Sequence, residues 1–482
     1  MKKFSINKRC FLITNESKFS INRHFWSLFL LGGFQSLAFG GLIVLVVPLS
    51  FIIWPNDPYH ALEMGILITV LFWVSAAAGI FFGFYIDKFR RTKIIFAISI
   101  FRGISMFLIG FVDEGKGMET WWYFLLYIII FAFFTGGSWP SIVSLSNDIV
   151  PKDYRSRFFG ILGIIMGLFT TFGFLIASAF VQYGYWRLYF WWIGLSILVA
   201  GFFFFIHIKE PKRGSQEEEL NELLKDDSIE YDFQIDRKMM KKTMLSKTNV
   251  VALIEGISTN ILMGSLYLLI LPYIQTEPHN LSPVFTGLFM IVFGLTGGLI
   301  GQLFLANLSD KVAKNHPISR IYFIIIALSV DVITFVLLFF IPLPHLTVEQ
   351  GQDIPFLFSI PMIWIWGALL FTSSIISSLY LVNQAPLLQD INLPEAQGKI
   401  TSWNQLLENF GFGAGPLIVG ILLTITSLNY QLTVVIVSLL IIPGILLWFL
   451  SLRWYGEDKK AIKKILDERA EILRKTKSNQ RK

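Results

Sequence analysis

Twelve apolar stretches, each long enough to cross a bilayer, alternate along this chain with short polar segments. They run roughly over 24–53, 61–86, 93–112, 121–146, 158–181, 187–208, 249–274, 283–307, 319–341, 358–384, 400–426 and 430–452. A span needs about 20 apolar residues to cover a hydrocarbon layer about 30 Å thick. In lipid the backbone must satisfy its own N–H and C=O groups, so such spans are helices. The pattern predicts an all-α integral membrane protein with twelve transmembrane helices.

Composition agrees. The 482 residues are 54% hydrophobic with a mean hydropathy of +0.62, which excludes a water-soluble protein. The net charge of +7 is unevenly placed. Of 40 Lys and Arg residues, 37 fall in the two tails and the even-numbered loops. Lys116 and Arg187 lie in odd-numbered loops, and Arg102 lies inside a span. The positive-inside rule then puts both termini and the segment 209–248 in the cytoplasm of a protein of the cell membrane. The basic charge reads as a topology signal, so no nucleic-acid partner is expected. The partners expected are the lipid bilayer and a small-molecule substrate.

Several chemistries are excluded. Cys10 is the only cysteine, so no intrachain disulfide forms. The six histidines are scattered and no HExxH or Cys cluster occurs, so no metal site is expected. No GxxxxGK[ST] loop is present to cradle a nucleotide. No nucleophile–base pair has a recognisable spacing, so neither a catalytic residue nor a cofactor is expected. The basic N-terminus runs into a full span with no small-residue cleavage site, which argues against a cleaved leader.

The chain divides into a tail (1–23), six spans (24–208), a polar linker (209–248), six more spans (249–452) and a basic tail (453–482). The halves echo each other. Asp87-Lys88 follows the second span, and Asp310-Lys311 follows the eighth. Asp148-Ile149-Val150-Pro151 follows the fourth, and Asp390-Ile391-Asn392-Leu393-Pro394 follows the tenth. Two matched loops in register argue for a duplicated six-helix unit, an architecture in which a site lies between the repeats.

At these loops the chain resembles the major facilitator superfamily. That family's signature after its second helix is a small residue, three residues, Asp, a basic residue, an aromatic, Gly, then basic residues. Gly83, Asp87, Lys88, Phe89, Arg91 and Lys93 match it, while Arg90 stands where Gly is usual. Residues 148–160 resemble the loop after the family's fourth helix. Gly184, Tyr185, Trp186, Arg187 and Phe190 resemble its helix five–six corner. Residues 390–416 resemble the spinster-like and organophosphate-permease branches. The chain departs from those branches in having no Arg in 121–146, and it lacks the antiporter-associated Pro in 158–181.

The resemblance implies two pseudo-symmetric six-helix bundles that rock about a central cavity. It further implies a monomeric secondary transporter for a small organic solute, anionic or amphipathic (lysolipid-like cargo included), coupled to protons or Na+ or to neither. The alternatives are a ligand sensor without flux and a drug or metabolite efflux pump of the same superfamily. Gly83, Asp87, Lys88 and Arg91, with the degenerate copy Asp310 and Lys311, would gate or latch the halves on the cytoplasmic face.

Charged groups inside spans are costly and mark partners or cavities. Arg102 and Asp331 lie near mid-depth in the third and ninth spans, which the resemblance places outside the cavity. Glu255 and Glu408 lie in the cytoplasmic third of the seventh and eleventh, where each is either a proton carrier or a fixed hydrogen-bond or salt-bridge partner. Gln35 needs a partner or ligand in its apolar helix. Asn404, Gln405 and Glu408 share one broad helix face, which means either a water-filled path or contact with another helix. Gly411, Gly413 and Gly415, like Gly32, Gly33, Gly40 and Gly41, allow close helix packing.

Overall fold

The computed structural model describes residues 21–86, 88–150, 152–211 and 237–480. Twelve of its helices are long and apolar enough to cross a membrane. They are α1 (Ile21–Val44), α2 (Ala61–Ile86), α3 (Arg91–Ile109), α4 (Met118–Ile149), α5 (Lys152–Gln182), α6 (Trp186–His207), α7 (Lys247–Gln275), α8 (Pro283–Asn315), α9 (Ser319–Phe340), α10 (Pro361–Asp390), α11 (Pro394–Ile425) and α12 (Tyr430–Ser451). A further helix, α13 (Tyr455–Gln480), follows. No strand occurs among the described residues.

Every span expected from the sequence is a helix, but several ends differ for one reason. Hydropathy reports the thickness of the oily layer, while a helix continues into water for as long as its backbone bonds are satisfied. So α5 starts at Lys152, α10 runs through Pro386 to Asp390, and α11 starts at Pro394. The first span is broken at Leu45, beyond which Val46–Ile53 forms a short separate helix.

The helices pair in the same way in each half. α1 packs on α5 as α7 packs on α11, α2 on α4 as α8 on α10, and α3 on α6 as α9 on α12. Small residues bring backbones close within each half. A Cβ added to Gly173 would sit 2.3 Å from Leu37 O, and one added to Gly264 would sit 2.0 Å from Phe412 O. Two six-helix bundles related by internal pseudo-symmetry result.

The halves meet mainly at one end of the bundle, opposite the end that carries residues 21 and 480. There α2 lies along α11: Thr69 Oγ1 donates to Gly413 O at 2.8 Å, and Trp73 Nε1 donates to Phe410 O at 2.9 Å. The Trp73 ring stacks on Phe410 at 4.9 Å. α5 reaches α8 nearer that end, where Gln182 Oε1 accepts from Val284 N at 3.1 Å. Toward the terminal end the halves diverge. Gly79 and Gly83 of α2 face Ser402, Gln405 and Leu406 of α11 across a cavity of about 460 Å³. A second cavity of about 470 Å³ separates Gly167 of α5 from Leu299 of α8. Among the described residues the halves are joined at one end of the bundle and stand apart at the other.

Candidate functional site

The N-terminal half supplies a polar pole to a cavity of about 280 Å³ beside α1, α3, α4 and α5. Arg102 belongs to α3, which the resemblance places outside, yet its side chain reaches this cavity. It is 3% exposed. Its guanidinium donates to Gln35 O at 3.3 Å and lies 4.6 Å from the centre of the Phe131 ring. Its Nε has no partner. Gln35 is buried, as its place in an apolar helix requires: its Oε1 accepts from Ser138 Oγ at 2.9 Å and its Nε2 donates to Ser99 Oγ at 3.5 Å. A planar cation with an unfilled donor, beside Thr135, Ser138 and Thr170, suits a carboxylate, phosphate or sulfate. Phe39 lines this cavity and both larger ones, so the three meet around one ring.

The C-terminal half supplies an acidic pole. Glu255 of α7 is fully buried. Thr259 Oγ1 donates to its Oε1, and Tyr380 OH donates to its Oε2 at 3.2 Å. Gln384 then joins the two acids. Its Nε2 donates to Tyr380 OH at 2.9 Å and to Glu408 Oε1 at 2.8 Å. Asn404 Nδ2 also donates to Glu408 Oε1, at 2.7 Å. Glu255–Tyr380–Gln384–Glu408 is therefore one hydrogen-bonded chain across α7, α10 and α11. Neither acid pairs with a basic side chain among the described residues. Gly256 of α7 keeps this junction tight, since an added Cβ would sit 3.3 Å from Glu408 Cγ.

The single polar face expected on α11 is two faces. Asn404 and Glu408, four residues apart, turn toward α7 and α10. Gln405 and Asn409, a step of roughly 100° further round the helix, line the 460 Å³ cavity with α2 and α4.

The motif loops hold their own halves together. Asp87 and the side chain of Lys399 lie outside the described residues. Gly83 is exposed with nothing within 4 Å of an added Cβ, and Lys88 is exposed. Arg91 is buried and pairs with Glu210 at 3.1 Å; it also donates to Ser144 O at 3.1 Å. Glu210 accepts from Arg91 N at 3.1 Å, from Thr92 N at 2.8 Å and from Thr92 Oγ1 at 2.7 Å, which caps α3. Burial pushes the Glu210 carboxyl up, but the bonds from Thr92 and Arg91 outweigh it and hold it below its ordinary value. In the second half Asp310 pairs with Arg320 at 2.9 Å, and Arg320 also reaches Asn383 Oδ1 at 3.3 Å. Lys311 is exposed.

Sequence reasoning missed Ser138, Tyr380, Gln384 and Glu210. The first three are neutral polar groups in apolar helices, where pattern alone cannot tell a packed hydroxyl from a site. Glu210 sits beside Pro211 in a stretch that reads as a loop.

Known proteins share this architecture. Among curated protein sequences none matches. Among solved structures, a bacterial homolog of the human lysosomal transporter Spinster, inward-facing and unoccupied, superposes with a TM-score of 0.68 at 16% identity; the match covers 92% of this chain and 99% of that one. The nucleoside transporter NupG gives a TM-score of 0.60 at 13% identity, over 89% and 98%. A D-xylose–proton symporter gives 0.58 at 14% identity, over 88% and 97%. At these identities the likeness is one of fold. The sequence pattern of the Major Facilitator Superfamily matches residues 25–360. With its twelve membrane-type helices in two matched bundles, the chain is a multi-pass membrane protein and belongs to the Major Facilitator Superfamily.

Proposed function

We propose that this protein is a secondary transporter of a small organic anion, amphipathic species included, working by alternating access. One observation carries the reading: a central gap sealed at one end and open at the other, with a cationic pole in one half and an acidic pole in the other. Arg102 holds the anionic group, and Gln35, Ser138 and Thr170 orient it. Phe39, Phe72, Leu266 and Phe412 offer apolar wall to the remainder of the solute. Lys and Arg placement puts both termini inside, so the conformation seen is open to the cytoplasm. In the opposite conformation the terminal ends close, and Gly83, Asp87 and Lys88 meet the start of α11.

Glu255 and Glu408 form the coupling element. Both lie at bilayer depth without a cationic partner among the described residues, so each is able to take up and release a proton, and the Tyr380–Gln384 bridge lets the state of one alter the hydrogen bonding of the other. Glu408 is half-buried at the junction with α7 and α10; Glu255 is enclosed. Uptake into proteoliposomes, with and without a pH gradient, tests the reading once a thermal-shift screen of organic anions has identified a ligand. Glu408→Gln and Glu255→Gln abolish stimulation by the gradient while leaving downhill exchange. Unchanged pH dependence in both variants removes the proton-coupling role. Absence of flux with folded, ligand-binding protein removes the transporter reading in favour of a sensor.

A further inference from the structure

A third intramembrane acid stands apart from both poles. Asp331 lies 12 residues into α9, about 18 Å along it at roughly 1.5 Å per residue, near the middle of the span. It is 4% exposed. Its Oδ1 accepts from Ser373 Oγ at 3.1 Å and is bonded to Ser377 Oγ, both on α10. Its Oδ2 has no partner. Helices α8, α10 and α12 pack on α9, and none brings a charged or titratable side chain to Asp331 among the described residues.

The hydrogens decide its state. Ser377 Oγ lies within bonding distance of Asp331 Oδ1 and 2.8 Å from Ser373 O. A hydroxyl has one hydrogen and cannot make a full-strength bond to both. An ionised Asp331 would leave one of these contacts without a proton, and would leave a bare charged oxygen in the depth of the bundle, where charge is costly. A proton on Oδ1 resolves both. Asp331 Oδ1–H donates to Ser377 Oγ, Ser377 donates to Ser373 O, and Ser373 Oγ donates to Oδ1.

We propose that Asp331, Ser373 and Ser377 form a proton-binding site between α9 and α10, separate from the central cavity and filled in this conformation. The bound proton ties α10 to α9. The neighbouring face of α10 carries Leu370 and Ser374 into the 470 Å³ cavity, so the site anchors a wall of the transport path. Opening it to water requires α9 and α10 to part.

Infrared difference spectroscopy on the full chain in lipid nanodiscs at neutral pH tests this directly. Wild type minus Asp331→Asn is expected to show the C=O stretch of a protonated carboxylic acid, above the amide I band and sensitive to deuterium exchange. Ser377→Ala is expected to shift that band by removing its hydrogen-bond partner. The paired bands of an ionised carboxylate overturn the proposal. A protonated-acid band that stays put in Ser377→Ala overturns the geometry. Should Asp331→Asn fail to fold, wild type minus Ser377→Ala still decides, since the band it displaces belongs either to the acid or to the carboxylate.

Discussion

Replacing Gly65 with alanine puts a methyl group into the seal between the two halves. Gly65 lies on α2, and the added Cβ would sit 2.5 Å from Pro416 O on α11, where ordinary contact begins at about 3.4 Å. Leu268 of α7 also stands 3.3 Å from it. The obstacle is backbone, so side-chain rotation does not relieve it. Overpacking of this kind costs about 1–3 kcal/mol. Here the halves relieve it by parting at that end, so the cost falls on the sealed conformation alone. A bias of that size moves the equilibrium about 5–150-fold toward the alternative state. Gly264→Ala is the matched control. Its Cβ would sit 2.0 Å from Phe412 O, but α7 and α11 belong to one half. Relief then means loosening the bundle, and the change is read as lost stability, about 2–4 °C in Tm for each kcal/mol. The assay combines thermal unfolding with maleimide labelling of Ala61→Cys, which is 2% exposed under the seal, in a Cys10→Ser background. Gly65→Ala speeds labelling at least several-fold at nearly unchanged Tm, and Gly264→Ala lowers Tm with labelling unchanged. Equal Tm losses in both variants, with labelling unaffected, would refute the division into rigid halves and a movable seal.

Arg102→Ala weakens binding of the anion found by thermal shift about 10–100-fold, the worth of a charge-assisted contact of about 1.5–3 kcal/mol. Arg102→Lys keeps the charge, loses the planar fork and falls between. Equal affinity in all three proteins would place the anion elsewhere. Glu210→Gln lowers stability by about 1–2 kcal/mol at neutral pH, reduced from a fully buried pair because the carboxylate is partly solvated. Its folded-state proton affinity is depressed, so its contribution is present above its ordinary value and is lost as pH falls through the lower folded value. Thermal unfolding from neutral to acid pH therefore declines more gently in Glu210→Gln than in wild type, and parallel curves would contradict this. Tyr380→Phe breaks the bridge between Glu255 and Gln384 while keeping the ring, and it slows gradient-driven uptake without weakening ligand binding; a full-rate variant would show that the acids act separately.

The spans, their number and their grouping were legible because each follows from one-dimensional quantities: the length of apolar runs, the placement of Lys and Arg, and paired Asp-Lys loops. The charged candidates were legible for the same reason, since Arg102, Glu255, Glu408 and Asp331 are conspicuous in apolar helices. What those groups touch was not. Arg102 sits on a helix outside the cavity, and only the packing of α1, α3 and α4 shows that its length carries it inward past Gln35. Tyr380 and Gln384 look like ordinary packing residues until α10 lies against α7 and α11. The carboxylate partner of Arg91, Glu210, is 119 residues away in sequence, and no periodicity links them. Arg91, expected as a gate residue, ties the ends of α3 and α4 to the chain leaving α6 in this conformation.

The central claim is that one gap opens to each side in turn. Electron–electron distance measurements on spin-label pairs test it directly, with labels at Lys88→Cys and Lys311→Cys across the open end and at Asp57→Cys and Ile425→Cys across the sealed end, in a Cys10→Ser background. As ligand and pH are varied, the first pair is expected to shorten whenever the second lengthens, with two populations exchanging weight. Both distances staying fixed, or both ends widening together, would contradict the account.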